Sequence, residues 1–191
     1  FAYCDGATIE NIHVKGTVSG AKGTYQTEEE ETWGGLGGVC DYAVNTSFSH
    51  CSNACSVTAS SSTYPISVGG IVGYGINCSI DSCSNYASII NDNNKSEGTG
   101  GIAGYLDGKT VDFCYNVGNI EGPENVGGII GYVDFLDSDN FTAMYCKNEG
   151  YVESSMGAGG IIGGGKNESG CSLNVISCYN KGTVSGKADI N

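Results

Sequence analysis

Asp81 and Asp112 are the residues of this chain whose type and spacing come nearest to a catalytic pair. They stand 31 residues apart, close to one period of an internal repeat, which sets them side by side on neighbouring turns of any coil the repeat builds. Carboxylates held about 5 Å apart would serve as the nucleophile and acid/base of a retaining glycosidase, or as oxygen ligands of a calcium ion. Ser49 and Glu10 continue the same column. No basic residue is expected beside the pair, so a solvated polar column is the simpler reading.

A second oxygen-rich segment, Asp134-Phe135-Leu136-Asp137-Ser138-Asp139-Asn140, makes Asp134, Asp137 and Asp139 weak calcium candidates. It lacks the glycine and terminal glutamate of an EF-hand, and an ordinary acidic loop explains it as well. The run Glu28-Glu29-Glu30-Glu31 reads as a solvated loop. Beside it Trp33 offers either a sugar-stacking ring or a cover for the coil edge, and the cover is favoured. Asn-x-Ser/Thr sequons at Asn45, Asn77, Asn94, Asn140 and Asn167 are close to chance in a chain so rich in these residues.

The ten cysteines are even in number, which suggests a disulfide framework. Five of them, Cys51, Cys83, Cys114, Cys146 and Cys178, recur at one repeat position, where free thiols are expected to pack as small hydrophobes. Parallel Cβ vectors on neighbouring rungs make disulfide geometry awkward. Cys4, Cys40, Cys55, Cys78 and Cys171 lie off this ladder and are open to pairing locally with a neighbour, with partners the sequence does not assign. A metal site is not expected, since no Cys-x-x-Cys pair exists and His13 and His50 are the only histidines.

These residues sit on two interleaved patterns. The first is Gly34-Gly35-Leu36-Gly37-Gly38-Val39, followed by Gly69-Gly70-Ile71-Val72-Gly73-Tyr74, Gly100-Gly101-Ile102-Ala103-Gly104-Tyr105, Gly127-Gly128-Ile129-Ile130-Gly131-Tyr132 and Gly159-Gly160-Ile161-Ile162-Gly163-Gly164; the starts are 35, 31, 27 and 32 residues apart. The second is Cys-x-Asn, carrying Asn53, Asn85, Asn116, Asn148 and Asn180, with its cysteines 32, 31, 32 and 32 apart. Phe48, Ile80, Val111, Ala143 and Val175 precede each cysteine by three, and Val57, Ile89, Ile120, Val152 and Val184 follow each asparagine by four. Both sets are expected to point inward. An opening copy carries Ile12 and Val14 where cysteine and asparagine stand later.

Read as one domain over 1–191, the chain divides into a partial repeat 1–33 and repeats at about 34–68, 69–99, 100–126, 127–158 and 159–191. An array opening in mid-repeat and lacking atypical end repeats is expected to be part of a longer protein. The pattern predicts an all-β, right-handed parallel β-helix with about three short strands per turn and five to six turns. Side chains alternate along a strand, so Cys51 and Asn53 share the buried face while Ser52, Ser84, Tyr115, Lys147 and Tyr179 point out. Glycine pairs are expected at corners that need positive φ or close approach, and the stacked asparagines as an amide ladder that satisfies turn backbone.

The glycine hexapeptides, together with Ala7-Thr8-Ile9-Glu10-Asn11-Ile12-His13-Val14-Lys15-Gly16-Thr17-Val18-Ser19-Gly20, resemble the GLUG repeat family over essentially the whole chain. The resemblance implies bacterial cell-surface or secreted proteins. These include adhesin-like proteins and non-catalytic regions attached to IgA-protease-type metallopeptidases. It implies no catalytic residues.

Composition narrows the partners. The net charge is −13 and all eight basic residues are lysines, which disfavours nucleic acid and bidentate recognition of phosphate or carboxylate. No apolar run is long enough to span a membrane and no signal-peptide pattern opens the sequence, so the targeting signal of a secreted parent is expected outside this piece. No cofactor is expected. The expectation is an extracellular adhesive or structural stalk with a protein or glycan ligand on a host or cell surface, and with open ends able to associate. A carbohydrate-active β-helix enzyme is the alternative.

Overall fold

The computed structural model describes residues 1–20, 25–26, 32–60, 64–134, 140–166 and 171–186, with side chains left aside at 25, 26, 32 and 33. Glu28, Glu29, Glu30, Glu31, Asp137, Asp139, Asn167 and the side chain of Trp33 therefore lie outside the described residues. All regular elements among the described residues are strands, and they stack in parallel as a β-solenoid.

One coil shows the plan without interruption. Ala103–Asp112, Tyr115–Asn116 and Ile120–Gly127 are its three strands. In the coil before it the third strand is split into Ile89–Asn91 and Thr99–Gly100 by an excursion of the chain. About four complete turns are present, rather than the five to six that the repeat count suggested. The coils within 40–159 pair on both sides, whereas the end coils pair, among the described residues, on one side only. The single antiparallel pair among the described residues joins Tyr25–Gln26 to Thr32–Gly37.

The register keeps like residues together. Ile80 pairs with Phe48 and Val111, Ile89 with Val57 and Ile120, and Asn85 with Asn53 and Asn116. Two apolar clusters follow from this alternation, one holding Ile71, Ile80, Ile102, Leu106 and the cysteine ladder, the other Val57, Val68, Ile89, Ile120 and Val152. Each fully buried isoleucine contributes roughly 1.5–3 kcal/mol relative to an exposed one.

Two kinds of corner turn the chain. At the Gly-Gly corner φ is ordinary and the requirement is space: a Cβ on Gly101 would lie 2.3 Å from the Gly128 carbonyl oxygen and 2.5 Å from Asn116 Cγ. The corner just before each ladder cysteine is left-handed and no glycine occupies it; left-handed backbone recurs at a second column through Gly6, Asn45 and Asn77. At the corner before the cysteine Asn11, His50, Ser82, Phe113, Tyr145 and Ser177 hold φ between 52° and 57°. Stacking over-determines this strained backbone, because the N–H of Ser82 donates to Asp112 O at 2.9 Å and that of Phe113 to Met144 O at 2.9 Å.

Candidate ligand-binding groove and the columns around it

The repeated residues bond mainly to their own counterparts. Asn53 Nδ2 donates to Asn85 Oδ1 (2.8 Å), Asn85 to Asn116 (2.7 Å), Asn116 to Asn148 (2.7 Å) and Asn148 to Asn180 (2.8 Å). Each Nδ2 also donates to the carbonyl two residues on, as Asn116 does to Gly118 O at 2.9 Å. The four inner amides from Asn53 to Asn148 are fully buried and each is satisfied within the ladder. Gly38, Gly70, Gly101, Gly128 and Gly160 each lie against an asparagine amide, so the two halves of the repeat interlock; in the first copy it is Gly37-Gly38, in register with Gly69-Gly70, and not Gly34-Gly35 that makes this corner.

None of the ten cysteines is in a disulfide. Cys51, Cys83, Cys114 and Cys146 are buried in one column, and Cys178 closes it half-buried. Their thiols donate to backbone carbonyls, Cys83 to Asp81 O at 3.3 Å and Cys146 to Val111 O at 3.2 Å. Burial pushes the Cys83 thiol up to about 12 and Cys78 to about 11. Such thiols are poor nucleophiles, since it is the thiolate that reacts.

A third column has a weaker trace in the sequence. Tyr3, Tyr42, Tyr74, Tyr105 and Tyr132 stack ring on ring, with centroids 5.9, 5.3, 4.2 and 5.9 Å apart. Three of them close a glycine hexapeptide, which is the signal that was there to be read. Tyr105 donates to Asp134 Oδ2 at 3.2 Å, and Asp134 pairs in register with Asp107. Among the described residues no three acidic, histidine or cysteine side chains gather to hold a metal ion.

Asp81 and Asp112 are register partners, with Ser49 and Glu10 continuing the column. Burial, and then the Asp81 charge, raise the Asp112 carboxyl above the usual carboxylate range. Its Oδ1 is buried without a hydrogen-bond partner. Beside this column Phe113 and Tyr145 stack at 5.0 Å, both largely exposed. Nearby, Glu149 is bridged to Lys147 (2.9 Å) and Lys181 (3.8 Å) and accepts the Tyr115 hydroxyl.

A concave feature lies elsewhere. A groove of about 290 Å³ is lined by Asn91, Asp92, Asn94, Glu121, Gly122, Pro123, Glu153, Ser154 and Ser155. Its origin is a mismatch between coils. Ile89 pairs with Ile120 and Thr99 with Val126, yet ten steps separate the first residues of these pairs and six the second. The excess loops outward and overhangs the regular coils. Buried Asn91 and Asn93 pin it, Asn91 Nδ2 donating to Ser96 Oγ (2.8 Å) and Ile66 O (3.0 Å), and Asn93 Nδ2 to Tyr64 O (2.7 Å).

Glu121 and Glu153 are register partners on neighbouring strands, side by side in the groove lining, and Glu153 accepts the Tyr151 hydroxyl at 3.1 Å. Asp92, Glu121 and Glu153 make no ion pair with the described residues, in contrast to Glu149. The lining thus offers carboxylate, amide and hydroxyl groups and no cation, which suits a ligand rich in hydroxyl or amine donors and repels an anionic one. Comparison with protein-family models, with curated proteins and with solved structures yields no match to this chain.

Proposed function

We propose that the chain is a non-catalytic repeat module of GLUG type from a bacterial surface or secreted protein, acting as an adhesive or spacing stalk. The observation that carries this reading is how the repeated residues are used: asparagine, cysteine and tyrosine each bond to or stack on their counterparts one coil away, which makes length and stiffness. Contact with a host or cell-surface ligand then falls to what is not repeated. Two such places are the groove under 92–98 and the flank where Tyr86, Phe113, Tyr145 and Tyr179 are exposed. An accessory region of a secreted metallopeptidase is the same reading in a different parent protein.

A carbohydrate-active enzyme is the second reading, favoured by one observation, the adjacent Asp81 and Asp112 with the raised Asp112 carboxyl. Both readings meet in one experiment. The chain, immobilised, is presented to neutral and amine-bearing glycans and to cell-surface proteins, and bound polysaccharides are assayed for cleavage. Saturable binding without turnover, weakened about tenfold by Glu121→Gln with Glu153→Gln or by Phe113→Ala with Tyr145→Ala, is the expected outcome. Cleavage abolished by Asp112→Asn would reject the non-catalytic reading.

A further inference from the structure

The corner before each ladder cysteine forms an outward column of its own, with His50, Ser82, Phe113 and Tyr145 on successive inner coils. Phe113 and Tyr145 hold left-handed backbone, φ 53° and 55°, which is rare for large side chains, and they stand 56% and 50% exposed. Asparagine or glycine would take the corner with less strain, and rings this exposed return little by burial. Strain kept at exposed positions is a mark of contact function rather than of packing.

The aromatic column is interrupted at Ser82. His50 lies one coil before it and Phe113 one coil after, as the bonds from His50 N to Asp81 O (3.1 Å) and from Ser82 N to Asp112 O (2.9 Å) fix. Neighbouring coils are about 4.8 Å apart, so positions 50 and 113 stand roughly 10 Å apart with only a serine between them. Phe113 and Tyr145, on adjacent coils, stack with centroids at 5.0 Å. The interval over Ser82 therefore has the width of one ring stacked on both sides.

Its border is acidic. Asp81 and Asp112 adjoin it in the next column and make no ion pair with the described residues, and Asp112 Oδ1 is buried without a hydrogen-bond partner. The strands that carry these residues pair with a coil on either side, so the gap belongs to the interior of the array.

We propose that the gap over Ser82 is a binding subsite for one sugar ring of an amine-bearing glycan, its apolar face on Phe113 and its ammonium against Asp81 and Asp112. The inference rests on the reading of the chain as an adhesive module and gives that module a ligand class. A ring with a C–H face completes the interrupted stack, and an ammonium beside an aromatic ring and two carboxylates is attracted by both. A net charge of −13 disfavours an anionic sugar at the same place.

Nuclear magnetic resonance titration of the 191-residue chain with a glucosamine oligomer is the test. Saturable shifts of the Phe113 ring and His50 imidazole resonances are expected. Ser82→Tyr fills the gap with a residue that the same corner already accepts at Tyr145, and it lowers affinity about tenfold with an unchanged circular dichroism spectrum. Ser82→Ala leaves the gap open and keeps affinity within about twofold, while the N-acetylated oligomer, which lacks the ammonium, binds the parent chain about tenfold more weakly. Should Ser82→Tyr fail to fold, the ring shifts of the unaltered chain decide. Binding that moves neither ring, or that survives Ser82→Tyr, overturns the location and leaves the adhesive reading standing. Equal binding of the two oligomers overturns the part given to the carboxylates, and no binding of the glucosamine oligomer overturns the ligand class. Cleavage of the oligomer would overturn the non-catalytic reading on which the inference rests.

Discussion

The two corners of the coil solve the same problem by opposite means. At the Gly-Gly corner the backbone angles are ordinary, and glycine is there because another coil and an asparagine amide occupy the place of its Cβ. At the corner before the cysteine the angles are left-handed and costly, about 1–2 kcal/mol for an ordinary residue, yet Ser82, Phe113 and Tyr145 accept them. The difference is direction. The first corner points its missing side chain into the packing, so only one residue type serves; the second points outward, so the side chain is free to vary and carries whatever surface chemistry the coil offers. Glycine at the first corner reports crowding, and the left-handed positions before the cysteines are where the aromatic flank is built.

Substitutions on the two corners break or sharpen this contrast. The largest effect is expected from Gly101→Ala, whose new methyl meets backbone at 2.3 Å: a loss of about 3–4 kcal/mol in urea unfolding, and a comparison with an equally small loss at both corners would remove the distinction. Asn116→Leu comes next. It strips the Asn85 donor and the Asn148 acceptor of their partners and leaves the Gly118 N–H and C=O bare, for about 2–3 kcal/mol, with a loss of cooperativity expected in the thermal melt.

Phe113→Gly is expected within about 1 kcal/mol of the parent, relief of the left-handed strain offsetting the lost stack on Tyr145. A loss as large as that at Gly101 would show that this corner is packed rather than free.

The smallest effect tests the flank next to that corner. Because the folded state raises the Asp112 carboxyl, the native protein holds that proton to higher pH than the unfolded chain, and stability falls as pH rises from the unfolded pKa through the folded one. Asp112→Asn should therefore stabilise at pH 7 and be neutral below the usual aspartate range, as read by paired urea titrations. Equal effects at both pH values would mean that charge is not the cause.

Much of the scaffold was legible in the chain. Period-two alternation places Cys51 and Asn53 inward and Ser52 outward, and a register of nearly constant 31 or 32 residues stacks like on like. The Asp81 and Asp112 pairing followed from the same arithmetic. The groove did not. The spacing of 27 residues between Gly100 and Gly127, against 31 between Gly69 and Gly100, records the missing four residues but not which corner loses them. Nor did the sequence separate the glycine of close approach from the residue of positive φ, since only the neighbouring coil supplies the atoms that a Cβ would strike.

The sequence by itself determined the β-solenoid, its inward columns and its ladders, because alternation along a strand is local and repetition carries it from coil to coil. Tertiary structure alone decided where the left-handed corners fall, how the tyrosines stack and where an excursion of one coil overhangs the next. Those features depend on contacts between coils about thirty residues apart, where one coil differs from its neighbour, and a repeat read along the chain averages such differences away.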